Sequence, residues 1–155
     1  MSVFISDHLD YLESTKSATA KRLGIDNRPS ESDLQNMRRI AESIFEPLRA
    51  NVAKGPLAVT SFFRCKRVNA AVGGAYSSQH TCGQAMDIDA DVHGGCTNRQ
   101  LFDYIRAHLI FDQMIWEFGN ESSPDWVHVS LKESGNRGEV LRSVRVNGKI
   151  IYRPL

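Results

Sequence analysis

The sequence predicts one α+β domain in which helices flank a central antiparallel sheet. Its 155 residues are the size of one ordinary domain. An amphipathic helix, a strand and a second helix come first, and the later part of the chain consists mostly of short alternating strands. Asn147-Gly148, between two such strands, is a strong hairpin signal. Helices followed by hairpin-linked strands are typical of α+β folds with antiparallel sheets.

Composition and charge exclude two classes of partner. Nineteen Lys and Arg residues against 18 Asp and Glu leave a net charge of +1, so we expect no nucleic acid held by phosphate neutralisation. The chain has no run of 18 apolar residues, which predicts no membrane span. We expect a monomer.

The N-terminal residues and the cysteines indicate the cellular compartment in which the chain is expected to be made. No basic region followed by an apolar core opens the sequence, so we expect no secretory signal. The three cysteines form no Cys-x-x-Cys pair, and an odd number fits synthesis in a reducing cytoplasm.

The first third of the chain is predicted to hold a surface leader and one long helix. Residues 1–30 are polar and lack periodicity, so we expect an irregular leader that wraps the surface. Its expected apolar anchors are Phe4, Ile5, Leu9, Tyr11 and Leu12. Ser30 is a good N-cap, and apolar residues recur at helical spacing from Glu31 to Val52. Pro47 inside this helix predicts a kink or an early end.

Short elements follow in the remaining two thirds of the sequence. Turn residues and changes of periodicity delimit them. Helices are expected over residues 64–72 and from the Thr97 cap to about His108. The expected strands cover residues 57–62, 112–118, 126–131, 140–146 and 149–152, and residues 85–90 alternate between two faces if they are extended.

Two histidines and an aspartate are candidate metal ligands. His80 precedes Asp87 by seven positions, and His128 lies within a strand whose valines alternate with it. If the strands of Asp87 and His128 pair, all three side chains can reach one face of the sheet. Two imidazoles and one carboxylate suit Zn²⁺ better than Mg²⁺ or Ca²⁺, which prefer oxygen ligands. This spacing alone is not specific, because isolated histidines beside strands are more often structural.

Four short motifs follow one another along the chain from residue 61 to residue 130. They are Ser61-Phe62-Phe63-Arg64, Val68-Asn69-Ala70-Ala71-Val72-Gly73-Gly74, Ser78-Gln79-His80-x-x-Gly83-x-Ala85-x-Asp87-Ile88 and Trp126-Val127-His128-Val129-Ser130. In this order they resemble the zinc D-Ala-D-Ala carboxypeptidase family of metallopeptidases, which has the Hedgehog/DD-peptidase fold. The short form, without a wall-binding module, looks most like members found in phages and prophages. The resemblance implies one Zn²⁺ held by His80, Asp87 and His128.

The resemblance also implies a general base, but two acids compete for that role. The family places an acid three residues before the last histidine, which is Asp125 here. Many members carry glutamate at that position, and aspartate is one methylene shorter. Glu117 is the rival, because a carboxylate in an otherwise apolar strand needs a partner or a function. From the sequence we rank Asp125 ahead of Glu117 as the candidate base. The alternative for Asp125 is a solvated turn residue after Pro124.

Three further polar residues are candidates for binding substrate. Arg64 matches the family arginine that faces the active site, where a guanidinium can bind a carboxylate or an oxyanion. Ser78 and Gln79 are expected to hydrogen-bond substrate or to stabilise the turn before His80.

The function implied by the resemblance is hydrolysis of amide bonds in peptidoglycan stem peptides, next to D-amino acids. Two roles are open. A carboxypeptidase would trim terminal D-alanine, and a phage endolysin released by a holin would cut within the cell wall. The alternative from another class is a zinc-bearing binding or structural module of the same fold, which keeps the ligands but lacks turnover.

Overall fold

The computed structural model describes residues 3–155, and its main feature is one six-stranded sheet. The strands of this sheet are β3 (Ala58–Ser61), β4 (Ala85–Asp89), β5 (Gln113–Glu117), β6 (Trp126–Ser130), β7 (Glu139–Val146) and β8 (Lys149–Pro154). They lie side by side in the order β3-β4-β6-β5-β7-β8. The predicted α+β class is confirmed.

The sheet is mixed rather than wholly antiparallel. Four of its five strand pairings are antiparallel, and β5 pairs with β7 in parallel. The parallel pair arises because the chain reverses after β6 and then passes β5, so that β7 lies on the far side of β5. The Asn147-Gly148 hairpin is confirmed: both residues have positive φ, and Val146 pairs with Lys149.

One long helical segment covers one face of the sheet. The helix α3 (Glu31–Ile40) begins with a capping box between Ser30 and Asp33. It continues through a π-helical turn (Ala41–Phe45), α4 (Glu46–Leu48) and a second π-helical turn (Arg49–Ala53). Pro47 lies in α4, so the expected disturbance takes the form of widened turns on both sides of the proline and not of an early end.

The expectation of an irregular leader is wrong. Residues 3–30 contain β1 (Phe4–Ser6), β2 (Leu9–Asp10), α1 (Tyr11–Thr15) and α2 (Ala18–Leu23), and Met1 and Ser2 lie outside the described residues. Asp10 and Ser17 cap the two short helices, which is local chemistry that a search for periodicity misses. Of the expected anchors, Ile5 and Leu9 are buried and Tyr11 packs against the core, whereas Phe4 and Leu12 are exposed.

The two later helices agree with the sequence. The helix α5 (Lys66–Ala71) ends before the Gly73-Gly74 turn, and α6 (Asn98–His108) starts with a capping box between Thr97 and Gln100. Short 3-10 turns cover Gln79–Cys82 and Ala90–Val92.

The core lies between the sheet and the helices. Met86, Ile88, Val127 and Val129 point from β4 and β6 into the same buried cluster as residues of α3 and α6. Since side chains alternate along a strand, the residues between them face away from this core. No helix within residues 3–155 is both long and apolar enough to cross a membrane.

Candidate metal centre and active-site cleft

Three potential ligands converge on the sheet face that points away from the core. Asp87 on β4 and His128 on β6 are directly paired across the two strands. His80 comes from the 3-10 turn before β4, and one potential ligand atom from each residue lies within 4.8 Å of the others. The sequence predicts this set, and the structure brings its three members together.

The orientations of the two imidazoles are set by their hydrogen bonds. The Nδ1 of His80, which is buried, lies 2.6 Å from the carbonyl oxygen of Phe62. A carbonyl only accepts, so this Nδ1 carries the proton and its Nε2, 3.4 Å from Asp87 Oδ1, is free to act as a ligand. His128 directs its Nδ1 to the same Oδ1 at 2.9 Å.

Gly83 makes the turn that joins His80 to β4. Its φ is +70°, and a Cβ added there would lie 2.6 Å from the carbonyl oxygen of Asp33 on α3. Only glycine meets both requirements without strain. The close approach of this turn to α3 fixes His80 relative to Asp87.

The charge state of Asp87 suits a cation. Burial disfavours the charged carboxylate, but the adjacent His80 and His128 outweigh this effect and hold the pKa of Asp87 well below its ordinary value. Two imidazole nitrogens and one ionised carboxylate oxygen form the donor set typical of catalytic zinc, which keeps a fourth position for water or substrate. The residues present therefore fit Zn²⁺.

A cleft of about 750 Å³ opens over the three ligands. Its lining includes the three predicted ligands and four of the five other predicted site residues: Arg64, Ser78, Gln79 and Glu117. Asp125 is not among the lining residues.

Glu117 reaches the cleft because of strand register. It ends β5 and pairs with Trp126, while Ile115 pairs with His128, so Glu117 and His128 share a face. Its side chain is 8% exposed, and the hydroxyl of Ser143 donates to its Oε2 at 2.5 Å. Burial raises the pKa of Glu117, and the hydrogen bond from Ser143 opposes that shift.

Asp125 is exposed and belongs to the turn before β6. It precedes Trp126, the first residue of β6, so strand alternation does not set the direction of its side chain. Its backbone N–H donates to the carbonyl of Glu117 at 2.8 Å, and its own carbonyl accepts from the Asn98 amide at 2.9 Å. These contacts stabilise the turn, and the structure does not bring the Asp125 carboxylate to the ligands.

Arg64 lies at the other side of the ligands, just after β3. It is half-buried, and within the described part of the chain its buried Nε has no hydrogen-bond partner. Burial lowers the pKa of the guanidinium, and the nearby Asp87 carboxylate opposes this shift. An unsatisfied donor that lines a cleft is suited to donate a hydrogen bond to an anionic group of a ligand.

Comparison with protein families agrees with this site. The sequence model of the Peptidase M15 family matches residues 7–130, which is most of the chain and includes all three ligands. The chain belongs to the peptidase M15 family. Peptidases of this family are zinc-dependent metallopeptidases, so the predicted resemblance is confirmed. No curated protein shows a significant match to the sequence.

The part of this M15 peptidase that sequence reasoning missed is the far wall of the cleft. The matched residues end with β6, yet residues of β7 and β8 also line the cleft. The hairpin was predicted only as secondary structure. Register supplies the missing signal: Ser143 pairs with Glu117 and with Tyr152, so one row of side chains crosses from the ligands to the hairpin. The lining residues not predicted for the site include Phe118, Trp126, Arg145, Ile150 and Tyr152.

Proposed function

We propose that this M15 peptidase uses zinc to hydrolyse amide bonds next to D-amino acids in peptidoglycan stem peptides. The observation that carries the proposal is the convergence of His80, Asp87 and His128 in a cleft that also presents an acid and an arginine. Family membership supports the reaction class, and the motifs that resemble D-Ala-D-Ala carboxypeptidases support the substrate class.

The three ligands would hold the metal, and the chain's own groups would move the proton. When bound, zinc would polarise the scissile carbonyl and lower the pKa of a bound water from 15.7 to about 7. Glu117 would accept a proton from the attacking water as the new C–O bond forms. It would then donate that proton to the leaving amine as the C–N bond breaks. A carboxyl whose pKa is raised by burial suits both steps, because its carboxylate is a stronger base than an ordinary one and its acid form can still give up the proton.

We place Glu117 ahead of Asp125 as the general base. Glu117 lines the cleft from the strand next to that of His128, whereas Asp125 is exposed and is not among the residues that line the cleft. The ranking made from the sequence is therefore reversed, because the family spacing of three residues does not fix the face on which the acid lies in this turn.

Arg64, Ser78 and Gln79 would bind the substrate on the β4 side of the ligands. The unsatisfied Nε of Arg64 would donate to a substrate carboxylate or to the oxyanion of the reacting carbonyl. Ser78 and Gln79 lie on the segment that leads to His80, so hydrogen bonds from them would orient the peptide beside the metal.

The two acids offer a matched test of the mechanism. Purified wild-type protein, Glu117→Gln and Asp125→Asn would be incubated with purified sacculi, and the new termini would be identified by mass spectrometry. We expect Glu117→Gln to lose about 10²- to 10⁴-fold in kcat, the usual contribution of a general base. Asp125→Asn is expected to retain activity within about threefold, because surface changes away from the site have small effects. Both variants should retain zinc, as measured by elemental analysis.

Three outcomes would change the proposal. A large loss for Asp125→Asn with an active Glu117→Gln would restore the ranking made from the sequence. Stoichiometric zinc with no cleavage of any muropeptide by the wild type would contradict the peptidase function and favour a zinc-bearing binding module. Release of D-alanine without loss of crosslinks would identify a carboxypeptidase and exclude an endolysin.

A further inference from the structure

Phe118 breaks the alternation of side chains along β5, and its ring is directed toward the cleft. It follows Glu117 directly, so alternation would place its ring on the core side with Trp116. Instead its φ is +51°, in the left-handed region that bulky residues rarely adopt, and its ring lines the cleft. There the ring centroid lies 5.5 Å from that of Trp126. A strained backbone that directs an aromatic ring into a cleft points to a role in binding.

Arg145 on β7 lies over the same ring. Its guanidinium carbon is 5.5 Å from the centroid of Phe118, within the range of a cation–π contact. The other hairpin-side arginine of the cleft, Arg137, is paired with Asp112 and Glu139. Among the residues that the structure describes, Arg145 has no acidic partner within ion-pair distance. Its charge is therefore held in the cleft by an aromatic ring and is free to pair with an anion.

Two residues of β8 complete this wall. Tyr152 pairs with Ser143 and Ile150 pairs with Arg145, so both point to the face that carries the ligands. They line the cleft although they are 52% and 47% exposed. Exposed apolar surface that continues an active-site cleft is typical of ligand-binding grooves. We name Phe118, Trp126, Arg145, Ile150 and Tyr152 the hairpin subsite.

We propose that the hairpin subsite binds a carboxylate-bearing segment of the substrate peptide, away from the bond that is cut. Arg145 pairs with the carboxylate, and the aromatic and aliphatic side chains contact the apolar parts of the peptide. Two strand spacings separate His128 on β6 from β7, roughly 10 Å, which an extended peptide spans in about three residues. The identity of the peptide as a peptidoglycan stem rests on the proposed function.

With Arg64 on the opposite side, the cleft would then hold an anionic group at each end of the bound peptide. The two arginines lie on either side of the three ligands, on the β3 end and on the β7 strand. A peptide with acidic groups on both sides of the scissile bond would be aligned by this pair, and the order of its residues would set which bond lies at the metal.

Binding of an uncleavable peptide tests the proposal without requiring turnover. Two synthetic stem pentapeptides would carry a ketomethylene group in place of the scissile amide. They would differ only in whether the carboxyl group of the second, acidic residue is free or amidated. We expect wild-type protein loaded with zinc to bind the free-carboxylate peptide about five- to tenfold more tightly in calorimetry, as for an accessible arginine–carboxylate pair. Arg145→Ala should reduce this preference to less than about twofold.

Arg153→Ala provides a control that removes the same charge from the other strand of the hairpin. Arg153 lies on the same hairpin but pairs with Arg142 on the opposite face, outside the cleft. Arg153→Ala should keep the wild-type preference for the free carboxylate. If the preference came only from the positive potential of the surface, both arginine variants would lose it to a similar extent. An unchanged preference in Arg145→Ala, or an equal loss in Arg153→Ala, would overturn the subsite.

The apolar part of the subsite is tested at Tyr152, whose exposure makes Tyr152→Ala tolerable for folding. We expect this variant to bind both peptides more weakly, by a similar factor of about three to five, since the substitution removes apolar contact and no charge. If Tyr152→Ala weakened only peptides that carry the attached disaccharide, the wall would bind glycan and the proposal would be wrong.

Hydrolysis of the ordinary pentapeptide by the wild type is measured in parallel. Selective binding without hydrolysis would contradict the proposed function and leave the hairpin subsite supported. Hydrolysis without a preference for the free-carboxylate peptide would support the proposed function and contradict the hairpin subsite.

Discussion

The two sides of the cleft differ in how firmly their residues are held. His80, Asp87 and His128 lie on or beside central strands, and their side chains are 2%, 16% and 13% exposed. The hairpin of β7 and β8 forms the edge of the sheet, and every residue of β8 is exposed. The family match covers the first side and ends before the second.

Under the two proposals, this difference separates groups that would need fixed geometry to hold a metal from groups that would contact variable parts of a ligand. Metal ligands must hold their positions within a fraction of an ångström, which paired central strands and the Phe62 carbonyl provide. An exposed edge hairpin can change its side chains with little effect on the core. Ser143 connects the two sides, because it donates to Glu117 and accepts from the N–H of Phe118.

The largest effect is expected when a predicted metal ligand is removed from the central strands. His128→Ala leaves two ligands, so we expect zinc content to fall from about one per chain to below about 0.1 and hydrolysis to fall at least about 10³-fold. Elemental analysis after dialysis and a muropeptide assay measure the two effects. The control is His93→Ala, which removes an exposed histidine outside the cleft. If His128→Ala kept stoichiometric zinc, the assigned ligand set would be wrong.

The second prediction concerns the connection that carries the chain from β6 to the hairpin. Asp112 is 1% exposed and accepts from the backbone and the guanidinium of Arg137, with Lys132 3.1 Å away. We expect Asp112→Asn to lower the free energy of unfolding by about 2 kcal/mol at pH 7. This is less than the full cost of breaking a buried pair, because both cations reach solvent.

The pH dependence of this effect has a definite sign. Hydrogen bonds from Arg137 hold the pKa of Asp112 far below its ordinary value. The stabilisation is therefore complete above the unfolded-state pKa of about 3.9 and is lost as the pH falls toward the folded-state value. Urea titrations should show a difference between wild type and Asp112→Asn that is full at pH 7 and smaller at pH 3. Asp103→Asn, which removes an exposed pair with Arg99, should cost less than about 0.5 kcal/mol. Equal losses at both acids would show that Asp112 has no special role in holding the connection.

The smallest effect is expected where the two sides meet. Ser143→Ala removes the hydrogen bond that lowers the pKa of Glu117, so that pKa should rise further. A base acts only when deprotonated, so the acid limb of the kcat/KM profile should move to higher pH, and kcat/KM should fall more on the acid side of the profile than on the alkaline side. Ser130→Ala is the control, because this equally buried serine bonds to Gln113 and not to Glu117. Coincident pH profiles for wild type and Ser143→Ala would contradict a role for Ser143 in positioning the base.

Much of the fold could be predicted because its signals are local. The capped α3 and α6, the alternation around His128 and the Asn147-Gly148 turn each depend on a few neighbouring residues. The same locality explains the two central ligands, since alternation put Asp87 and His128 on one face once their strands paired.

The remaining features depend on contacts between distant segments. The parallel pairing of β5 with β7 is set by which side of β5 the chain passes, and no local pattern in residues 131–138 encodes that choice. The left-handed Phe118 is held by the Ser143 hydroxyl from another strand, so its turn into the cleft was not predictable. For the two acids, the spacing of three residues before His128 did not determine which of them lines the cleft, because Asp125 lies in the turn before β6 and not within the strand.

The strand alternation described for β6 also limits where the length of the chain can change. A deletion of one residue within Trp126–Ser130 would exchange the two faces of the strand, so that His128 would enter the core and a valine would face the cleft. At the Asn147-Gly148 turn, by contrast, an insertion lengthens a loop and leaves every pairing of β4, β5 and β6 in register. We therefore expect natural variants of this chain to differ in length around residue 147 and to keep a constant length between Ala85 and Asp89 and between Trp126 and Ser130.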